Sequence, residues 1–400
     1  MTDQPPPFLP YGRQCIDEAD IAAVVEALKA PMLTGGPTVD AFEAALATAV
    51  TAPHAVACAN GTAALHLACL ALDIGPGKSV AVPSITFSAT ANAALYCGAD
   101  VLFVDVDPDS GLMTVEALDR AVAAWQGPPV AAVFPVHLAG QAADMAAIGG
   151  YARDRGWAVV EDACHALGTD ADWGPVGGCA HSDMTVFSFH PVKTVAMGEG
   201  GALTTRDAAI AHRLRRLRSH GITREAAEFS ETDLAYAADG TVNPWYYELT
   251  ELGYNYRASD IQCALGLSQL GKLEAFAARR NHLAARYDAA LAPLAPLVRG
   301  LGRRPNPRPA WHLYVALFDF PAIGIDRASL MRTLHQRGIG TQVHYIPVPS
   351  MPVYRRRYGR QSFPGAEAYY ARALSLPLFP AMQDEDVTRV CAVLGEVIGA

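Results

Sequence analysis

The sequence of 400 residues lacks several features that would assign it to other classes of protein. Its formal net charge is −9, so it lacks the basic excess that binding to nucleic-acid phosphates favours. No apolar stretch is long enough to span a bilayer, and residues 1–10 carry no basic segment followed by an apolar run, so we expect neither a membrane partner nor a secretory signal. The eight cysteines show no paired metal-ligand spacing, and a reducing, cytoplasmic location is expected.

Two other absences concern cofactor binding and disorder. No Gly-x-Gly-x-x-Gly motif follows the first predicted strand, which argues against a nicotinamide dehydrogenase. No low-complexity tract or internal repeat breaks the chain, and 51% of its residues are hydrophobic. The sequence therefore predicts an ordered protein with a large core and two or more structural units.

The chain does contain a regular alternation of short apolar runs and helical patterns. The predicted strands are 80–85, 101–106, 130–135, 158–160, 184–189 and 201–205, and the first predicted helices are 16–30 and 37–50. Such alternation is typical of βαβ units and predicts a mostly parallel sheet that is covered on both faces. A long helix over 258–287 is expected to lead into a small C-terminal α+β unit. The predicted elements of that unit are a connection at 293–309, strands 313–320 and 340–345, and helices 327–337 and 384–397.

Two segments that follow strand-like runs contain candidate binding residues. Gly61-Thr62-Ala63 opens a predicted helix, and the free N–H groups at a helix N-terminus favour an anion. An ordinary helix cap formed by Asn60 or Thr62 explains the same residues. Asp162 follows strand 158–160, at the end of the sheet where ligands bind in α/β proteins. Its carboxylate can pair with a protonated ring nitrogen or cap a helix.

A third candidate is Lys193, which lies in a loop between two predicted strands and is followed by the glycine-rich segment 198–201. Burial lowers the affinity of a lysine for its proton, and the neutral amine can then attack an aldehyde to form an imine. The alternative is an ordinary surface lysine. Because loops at one end of a sheet converge, an anion-binding turn, a carboxylate and a lysine in this order favour one shared site.

Six segments together resemble those of the DegT/StrS family of sugar aminotransferases, over nearly the whole chain. They are Asn60-Gly61-Thr62-Ala63, 83–90, Glu161-Asp162-Ala163-Cys164-His165, 188–193, 198–201 and 253–257. The resemblance implies an α/β fold, that of a fold type I aminotransferase dependent on pyridoxal 5′-phosphate (PLP). It implies a large domain over 1–265 with a mostly parallel seven-stranded sheet, and a small α+β C-terminal domain over 266–400. Lys193 would be the catalytic residue that forms the Schiff base with PLP and moves protons.

The same resemblance implies roles for further residues. Asp162 would pair with the pyridine nitrogen of PLP, Phe87 would stack on its ring and His165 would lie near its phenolic oxygen. A core phenylalanine and a structural histidine stay open as alternatives for the last two. Other implied cofactor contacts, mostly to the phosphate, are Gly61, Thr62, Ala63, Ser188 and, from the second subunit of a homodimer, Asn255. For residues 253–257, a helix start capped by Ser259 is the alternative. Implied substrate-binding positions are Thr34, His190, Arg257, His344 and Tyr345.

Within the family, segments 188–193, 218–221, 264–270 and 342–345 are most similar to enzymes of pseudaminic-acid biosynthesis. This likeness implies transfer of an amino group from L-glutamate to C4 of a UDP-linked 4-keto-6-deoxy-N-acetylhexosamine. The long segment 222–252 departs from the pattern, so another keto-sugar nucleotide, such as a 4-keto-pentose or a 3-keto sugar, stays an alternative. A PLP-dependent sugar dehydratase is a further alternative. Those enzymes resemble this family but carry histidine at the position of Lys193, so the lysine argues against it. A non-catalytic PLP-fold sensor is disfavoured by the intact set of Asp162, Ser188 and Lys193.

Overall fold

The computed structural model describes residues 7–305 and 308–399. Its helices are α1 Glu18–Lys29, α2 Pro37–Ala49, α3 Gly61–Ala71, α4 Ser88–Tyr96, α5 Val115–Ala124, α6 Met145–Arg153, α7 Ala208–Leu217, α8 Thr232–Ala235, α9 Asp260–Leu270, α10 Leu273–Leu291, α11 Phe320–Ile323, α12 Arg327–Gln336, α13 Pro352–Tyr358, α14 Pro364–Arg372 and α15 Asp384–Ile398. Its strands are β1 His54–Cys58, β2 Ser79–Pro83, β3 Asp100–Val104, β4 Val130–Val133, β5 Ala158–Asp162, β6 Asp170–Ala171, β7 Gly174–Pro175, β8 Met184–Ser188, β9 Gly201–Thr205, β10 Ile222–Thr223, β11 Glu248–Leu249, β12 Val298–Gly300, β13 Tyr314–Phe318 and β14 Ala373–Leu376. Predictions for residues 1–6 and 306–307 lie outside the described residues.

A seven-stranded sheet has the strand order β1-β9-β8-β5-β4-β2-β3. Strands β8, β5, β4, β2 and β3 are parallel, and β9 runs antiparallel to its neighbours β1 and β8. Helices cover both faces, which is why β2 and β9 are buried along their whole length and consist of small or apolar residues. The predicted mostly parallel seven-stranded sheet is therefore confirmed. The carboxyl ends of β1, β8, β5 and β2 lie at one edge of it, and β9 begins there.

Helices α1, α2, α3 and α9 begin where the residues at their N-termini predict. The Asp17 side chain caps α1, and α2 begins at Pro37, a residue suited to the first helical position. The Asn60 side chain caps α3, and Ser259 caps α9 in a capping box with Gln262. The interpretation of Asn60 and Ser259 as helix caps is confirmed. A cap does not prevent other groups of the same turns from binding a ligand.

The C-terminal part of the chain builds a smaller antiparallel sheet in the order β12-β13-β14. Its strands pack with α10, α12, α14 and α15 around one apolar core that includes Tyr287, Phe318, Leu334, Leu376 and Val390. The small α+β unit is therefore present. The proposed boundary between residues 265 and 266 lies within α9, and the division into two domains there stays a prediction. None of the described helices is long and apolar enough to cross a membrane.

Three predicted elements are wrong. The single helix over 258–287 is instead α9 and α10, because Gly271 and Lys272 interrupt it; glycine is a weak helix former, and Lys272 turns to pair with Asp17 and Asp20. Segment 340–345 is not a strand. The backbone of Gly340 donates to Leu9, and only Gln342 pairs with β14, at Ser375.

The third error concerns 293–309, which was predicted to be only a connection. It contains β12, because Val298 is buried and pairs with Phe318 of β13. Strand β14 itself was not predicted from the sequence.

Candidate active site

The turn that opens α3 lies at the edge of the sheet and contacts the end of β8. The Asn60 side chain accepts a hydrogen bond from the Ala63 N–H at 2.8 Å. Within the described chain, the N–H groups of Gly61 and Thr62 donate to no acceptor and are free for a ligand. A Cβ atom at Gly61 would lie 2.9 Å from Ser188 Cβ, so glycine is required for this close approach. The turn therefore brings Ser188 to the positive end of the α3 dipole.

Asp162 is the last residue of β5, and its side chain is 5% exposed. Its carboxylate accepts hydrogen bonds from Thr90 Oγ1 at 2.7 Å and from the Cys164 N–H at 3.2 Å. Among the described residues no cationic side chain forms a salt bridge with it. An ionised carboxylate offers about four acceptor sites, so Asp162 has capacity left for a donor on a ligand.

Lys193 lies in the loop after β8. The residue as a whole is half-buried, and its amine lies in the buried part. Burial of the amine lowers its pKa from the ordinary lysine value, while the electrostatic effect of the neighbouring Asp162 carboxylate acts in the opposite direction. The net effect favours a neutral amine at lower pH than for a surface lysine, and Asp162 is near enough to Lys193 to act on its pKa. The Lys193 N–H donates to the carbonyl of His190, whose side chain is exposed.

His165 is buried, and both of its ring nitrogens have partners. The Ala139 N–H donates to Nδ1 at 3.3 Å, and Tyr345 OH lies 3.0 Å from Nε2. Burial, with a smaller effect of the positive charge of Lys193, holds the pKa of His165 well below its usual value, so the ring is neutral. Because Nδ1 is an acceptor, Nε2 carries the proton and donates to the Tyr345 oxygen. The Tyr345 proton is then free to point at a ligand.

The positive charge of Lys193 also lowers the pKa of two further imidazoles, those of His344 and His312. His344 Nδ1 lies 2.8 Å from Ser375 Oγ, and burial, followed by the Lys193 charge, lowers its pKa to about 3. The ring of His312 lies 4.5 Å from that of His165, and its buried Nδ1 has no partner in the described structure. No sequence motif singles out His312, because Trp311-His312-Leu313 looks like the start of a strand.

Phe87 immediately precedes α4, and its side chain is 57% exposed. Its ring centroid lies 6.1 Å from that of Tyr345, which in turn stacks on His165 at 5.9 Å. The alternative interpretation of Phe87 as a core residue is wrong. An exposed aromatic face beside this cluster is instead suited to stack on a flat ligand.

Three predicted residues lie apart from this cluster in the contacts of the described chain. Asn255 is exposed and pairs with Ser219, and Thr34 is exposed and pairs with Ser259. Arg257 is half-buried on the same segment as Asn255. That segment runs beside the α3 turn, since the Ala59 N–H donates to the carbonyl of Tyr256.

The residues at this edge of the sheet match the chemical groups of PLP. The Lys193 amine suits its aldehyde, and the Asp162 carboxylate suits a protonated ring nitrogen. The two free N–H groups at the start of α3 suit its phosphate, and the exposed Phe87 ring suits its flat face. The site therefore fits the cofactor that the sequence predicts.

The fold and this set of groups define the chain as a PLP-dependent aminotransferase of fold type I. Residues 14–395 match the model of the DegT/DnrJ/EryC1/StrS aminotransferase family. The chain belongs to that family and is a sugar aminotransferase that uses PLP.

Individual relatives agree with this classification over the full length. The spore coat polysaccharide biosynthesis protein SpsC of Bacillus subtilis is 39% identical over 98% of this chain and 97% of its own. The structure of PseC from Helicobacter pylori, an aminotransferase involved in the biosynthesis of pseudoaminic acid, has a TM-score of 0.87 at 26% identity, covering 98% of this chain and 99% of that one. The putative sugar aminotransferase Spr1654 from Streptococcus pneumoniae has a TM-score of 0.85 in its PLP form, at 26% identity over 98% and 99% of the two chains.

Proposed function

We propose that this enzyme transfers the amino group of L-glutamate to C4 of a UDP-linked 4-keto-6-deoxy-N-acetylhexosamine, as in pseudaminic-acid-type sugar biosynthesis. The observation that carries the amino-transfer chemistry is the Lys193 amine, whose pKa is lowered by burial beside the Asp162 carboxylate. The observation that favours this sugar is the similarity in fold to PseC along almost the whole chain.

Each residue of the site has a proposed task. When bound, PLP supplies an aldehyde that condenses with amines and a ring that accepts an electron pair. Lys193 would hold the cofactor through its amine, and the neutral amine would move the proton of the amino donor's α-carbon. Asp162 keeps a proton on the ring nitrogen, because an ionised carboxylate stabilises a cationic N–H donor. Gly61, Thr62 and Ser188 bind the phosphate at the start of α3. The contact expected for Ala63 is not supported, because its N–H already donates to the Asn60 side chain.

The neutral imidazole and phenol of His165 and Tyr345 are proposed to contact the phenolic oxygen and the substrate. Their hydrogen bond leaves the Tyr345 proton available as a donor. His344, together with His190, Thr34 and Arg257, is proposed to bind the sugar nucleotide. A neutral His344 is consistent with recognition of sugar hydroxyl groups, which both donate and accept hydrogen bonds.

The first test replaces the lysine. Lys193→Ala is expected to remove the absorption band of the lysine–cofactor Schiff base and to lower turnover by at least about 10³-fold, because the covalent link and the proton transfer are both lost. In the wild-type enzyme, borohydride reduction followed by peptide mapping should place the cofactor on the peptide that contains Lys193. Lys78→Ala is the control, since the Lys78 amine is exposed and donates to the carbonyl of Asp73 on the surface. Full turnover by Lys193→Ala would refute the assignment.

The substrate is tested separately, by mass spectrometry of the products from a panel of keto-sugar nucleotides with PLP and glutamate. The proposal expects amination of the UDP-linked 4-keto-6-deoxy-N-acetylhexosamine and formation of 2-oxoglutarate. A preference for a different keto sugar would favour the second candidate, another sugar aminotransferase. That candidate is supported by segment 222–252, with its exposed Trp245 and Leu252, and by the identity to SpsC, which exceeds the identity to PseC.

We further propose a homodimer in which Asn255 contacts the phosphate in the partner's site. Two features support it. Asn255 is exposed, and the N-terminal part of the chain exposes large apolar side chains at Ile21, Val25, Leu28 and Leu33. Contiguous exposed apolar residues of this kind are typical of protein–protein interfaces.

Mixed dimers test the shared site. Lys193→Ala and Asn255→Ala are each expected to have low activity alone. After the two variants are denatured and refolded together in equal amounts, about half of the dimers are mixed and each has one intact site, so activity should recover to about a quarter of the wild-type value. Absence of recovery, with mixed dimers present by native mass spectrometry, would mean that Asn255 serves its own subunit.

A further inference from the structure

Behind Asp162 the structure contains two buried threonine hydroxyl groups. Both threonines lie in segment 83–90, where the resemblance assigns a role only to Phe87. Thr90 Oγ1, on α4, lies 2.7 Å from Asp162 Oδ2. Thr86 Oγ1, in the loop before α4, lies 2.7 Å from Thr90 Oγ1. Thr90 is fully buried and Thr86 is 1% exposed, so water does not compete for these contacts.

The direction of the protons in this chain follows from the carboxylate. Ionised Asp162 only accepts, so Thr90 must donate its single proton to Oδ2. Thr90 Oγ1 also lies 3.2 Å from the Phe87 carbonyl, but the shorter, charge-assisted contact takes the proton. Thr86 must then donate to Thr90. The hydroxyl groups therefore point in one direction, from Thr86 through Thr90 to Asp162.

Such a chain affects both the position and the basicity of the carboxylate. Two aligned donors polarise one another, which strengthens the final hydrogen bond by about 10–30%. A hydrogen bond donated to an ionised carboxylate lowers the affinity of the carboxylate for a proton. A ring nitrogen that faces it therefore keeps its own proton more firmly. The Cys164 N–H fixes the other oxygen, Oδ1.

We propose that Thr90 is a positioning residue, supported by Thr86, that aims the Asp162 carboxylate at the cofactor's ring nitrogen and keeps the proton on that nitrogen. This inference rests on the proposed role of Asp162. It adds α4 to the elements that control the electron-accepting strength of the cofactor, although neither threonine is placed in contact with the cofactor itself.

The test is the pH midpoint at which the visible absorption band of the bound cofactor changes. Thr90→Val keeps the shape of the side chain but removes the donor, so the ring nitrogen should lose positive charge and the midpoint should rise by about 1 pH unit. Thr90→Ser, which retains the hydroxyl, should restore the wild-type midpoint. The titratable groups around the site are Lys193, Cys164, His165, His312, His344 and Tyr345, and they are the same in every variant.

Two other variants separate this effect from packing. Thr204→Val removes a buried hydroxyl on β9 that donates to the Gly177 carbonyl at 2.8 Å, and it should reduce stability without moving the midpoint. Thr86→Val leaves every contact of Asp162 in place and should raise the midpoint by about 0.3 units, less than Thr90→Val does. An unchanged midpoint in a folded, cofactor-loaded Thr90→Val enzyme would overturn the proposal. If Thr90→Val does not load, an unchanged midpoint in Thr86→Val would overturn it instead.

Asp162→Asn distinguishes failure of this inference from failure of the proposed site. If Asp162→Asn moves the midpoint but Thr90→Val does not, Asp162 faces the ring nitrogen and only the threonine chain is wrong. If Asp162→Asn leaves the midpoint unchanged, the proposed role of Asp162 fails, and the inference fails with it.

Discussion

Glu161 and Asp162 are neighbours in β5, yet their carboxylates have very different surroundings, because successive side chains of a strand point to opposite faces of the sheet. Glu161 accepts from His137 Nε2 at 2.7 Å and from Thr185 Oγ1 at 3.2 Å, and it also bonds the Ser182 hydroxyl. The Ala143 N–H donates to His137 Nδ1, so the proton on Nε2 points at Glu161.

Asp162 instead has one hydroxyl and one backbone N–H as partners, both uncharged. The two carboxylates are buried to a similar degree, so burial does not distinguish a structural acid from a binding one. The number of hydrogen-bond donors distinguishes them. Three side chains donate to Glu161, whereas Asp162 has two donors and retains acceptor capacity on the side of the sheet where Lys193 lies. The comparison predicts that removing one charge affects stability and that removing the other affects catalysis.

The largest effect is expected for Asp162→Asn. Loss of the negative charge opposite the ring nitrogen should reduce the rate of the half-reaction with glutamate by about 10²–10³-fold, the size found when one preorganised electrostatic contact is removed. Stopped-flow spectroscopy of the cofactor measures this rate. Asparagine retains the size of the side chain, so the urea midpoint should change little. A rate within threefold of the wild-type value would show that unused acceptor capacity does not identify the residue that pairs with the cofactor's ring nitrogen.

The next effect is expected for Glu161→Gln, which is the matched control on the other face. It should lower the free energy of unfolding by about 2–3 kcal/mol, because a buried hydrogen-bonded charge is replaced by an amide that fits only part of the network. The folded variant should keep the wild-type half-reaction rate. A rate loss as large as that of Asp162→Asn, without loss of stability, would contradict the comparison.

The pH dependence of stability provides a second measurement on Glu161. Burial alone raises its pKa, but the hydrogen bond from His137 and those from the two hydroxyl groups more than offset this, and the net pKa is below the usual glutamate value. Because the folded pKa is below the unfolded one, about 4.3, the stabilisation is present above pH 4.3 and is lost as pH falls through the folded pKa. The difference in urea midpoint between wild type and Glu161→Gln should therefore shrink from pH 6 to pH 3.

The residues around the proposed site also differ in how far the sequence predicted them. Lys193, Asp162 and the turn at Gly61 were found because each follows an apolar strand, and the ends of parallel strands converge at one edge of the sheet. Thr90 and His312 were missed. Thr90 is 72 residues from Asp162 in sequence, and His312 is 147 residues from His165, so only the packing of α4 and of the C-terminal segment brings them together.

The errors in secondary structure have the same origin. Residues 340–345 have the composition of a strand, but their partners are Leu9 and Ser375, which lie far apart in sequence and leave only one residue paired with β14. The break between α9 and α10 depends on the salt bridges of Lys272 with Asp17 and Asp20, which lie far from it in sequence. Local patterns predicted the elements whose contacts are local, and tertiary contacts decided the rest.

The smallest effect is expected for Phe87→Leu, on the same side of the sheet as Asp162. Stacking of aromatic rings contributes roughly 0.5–1.5 kcal/mol beyond the burial of area, so the Kd for PLP should rise by about 2- to 10-fold while the stability of the apoenzyme stays the same, since Phe87 is mostly exposed. Fluorescence titration of the apoenzyme with PLP measures this change. Phe103→Leu is the control: Phe103 is buried on β3 and packs edge-on against Tyr354 at 5.1 Å, so its loss should lower stability but not PLP affinity. If Phe87→Leu destabilised the apoenzyme as Phe103→Leu does, the exposed ring would be serving the fold, and the distinction between satisfied and available groups would not extend beyond the carboxylates.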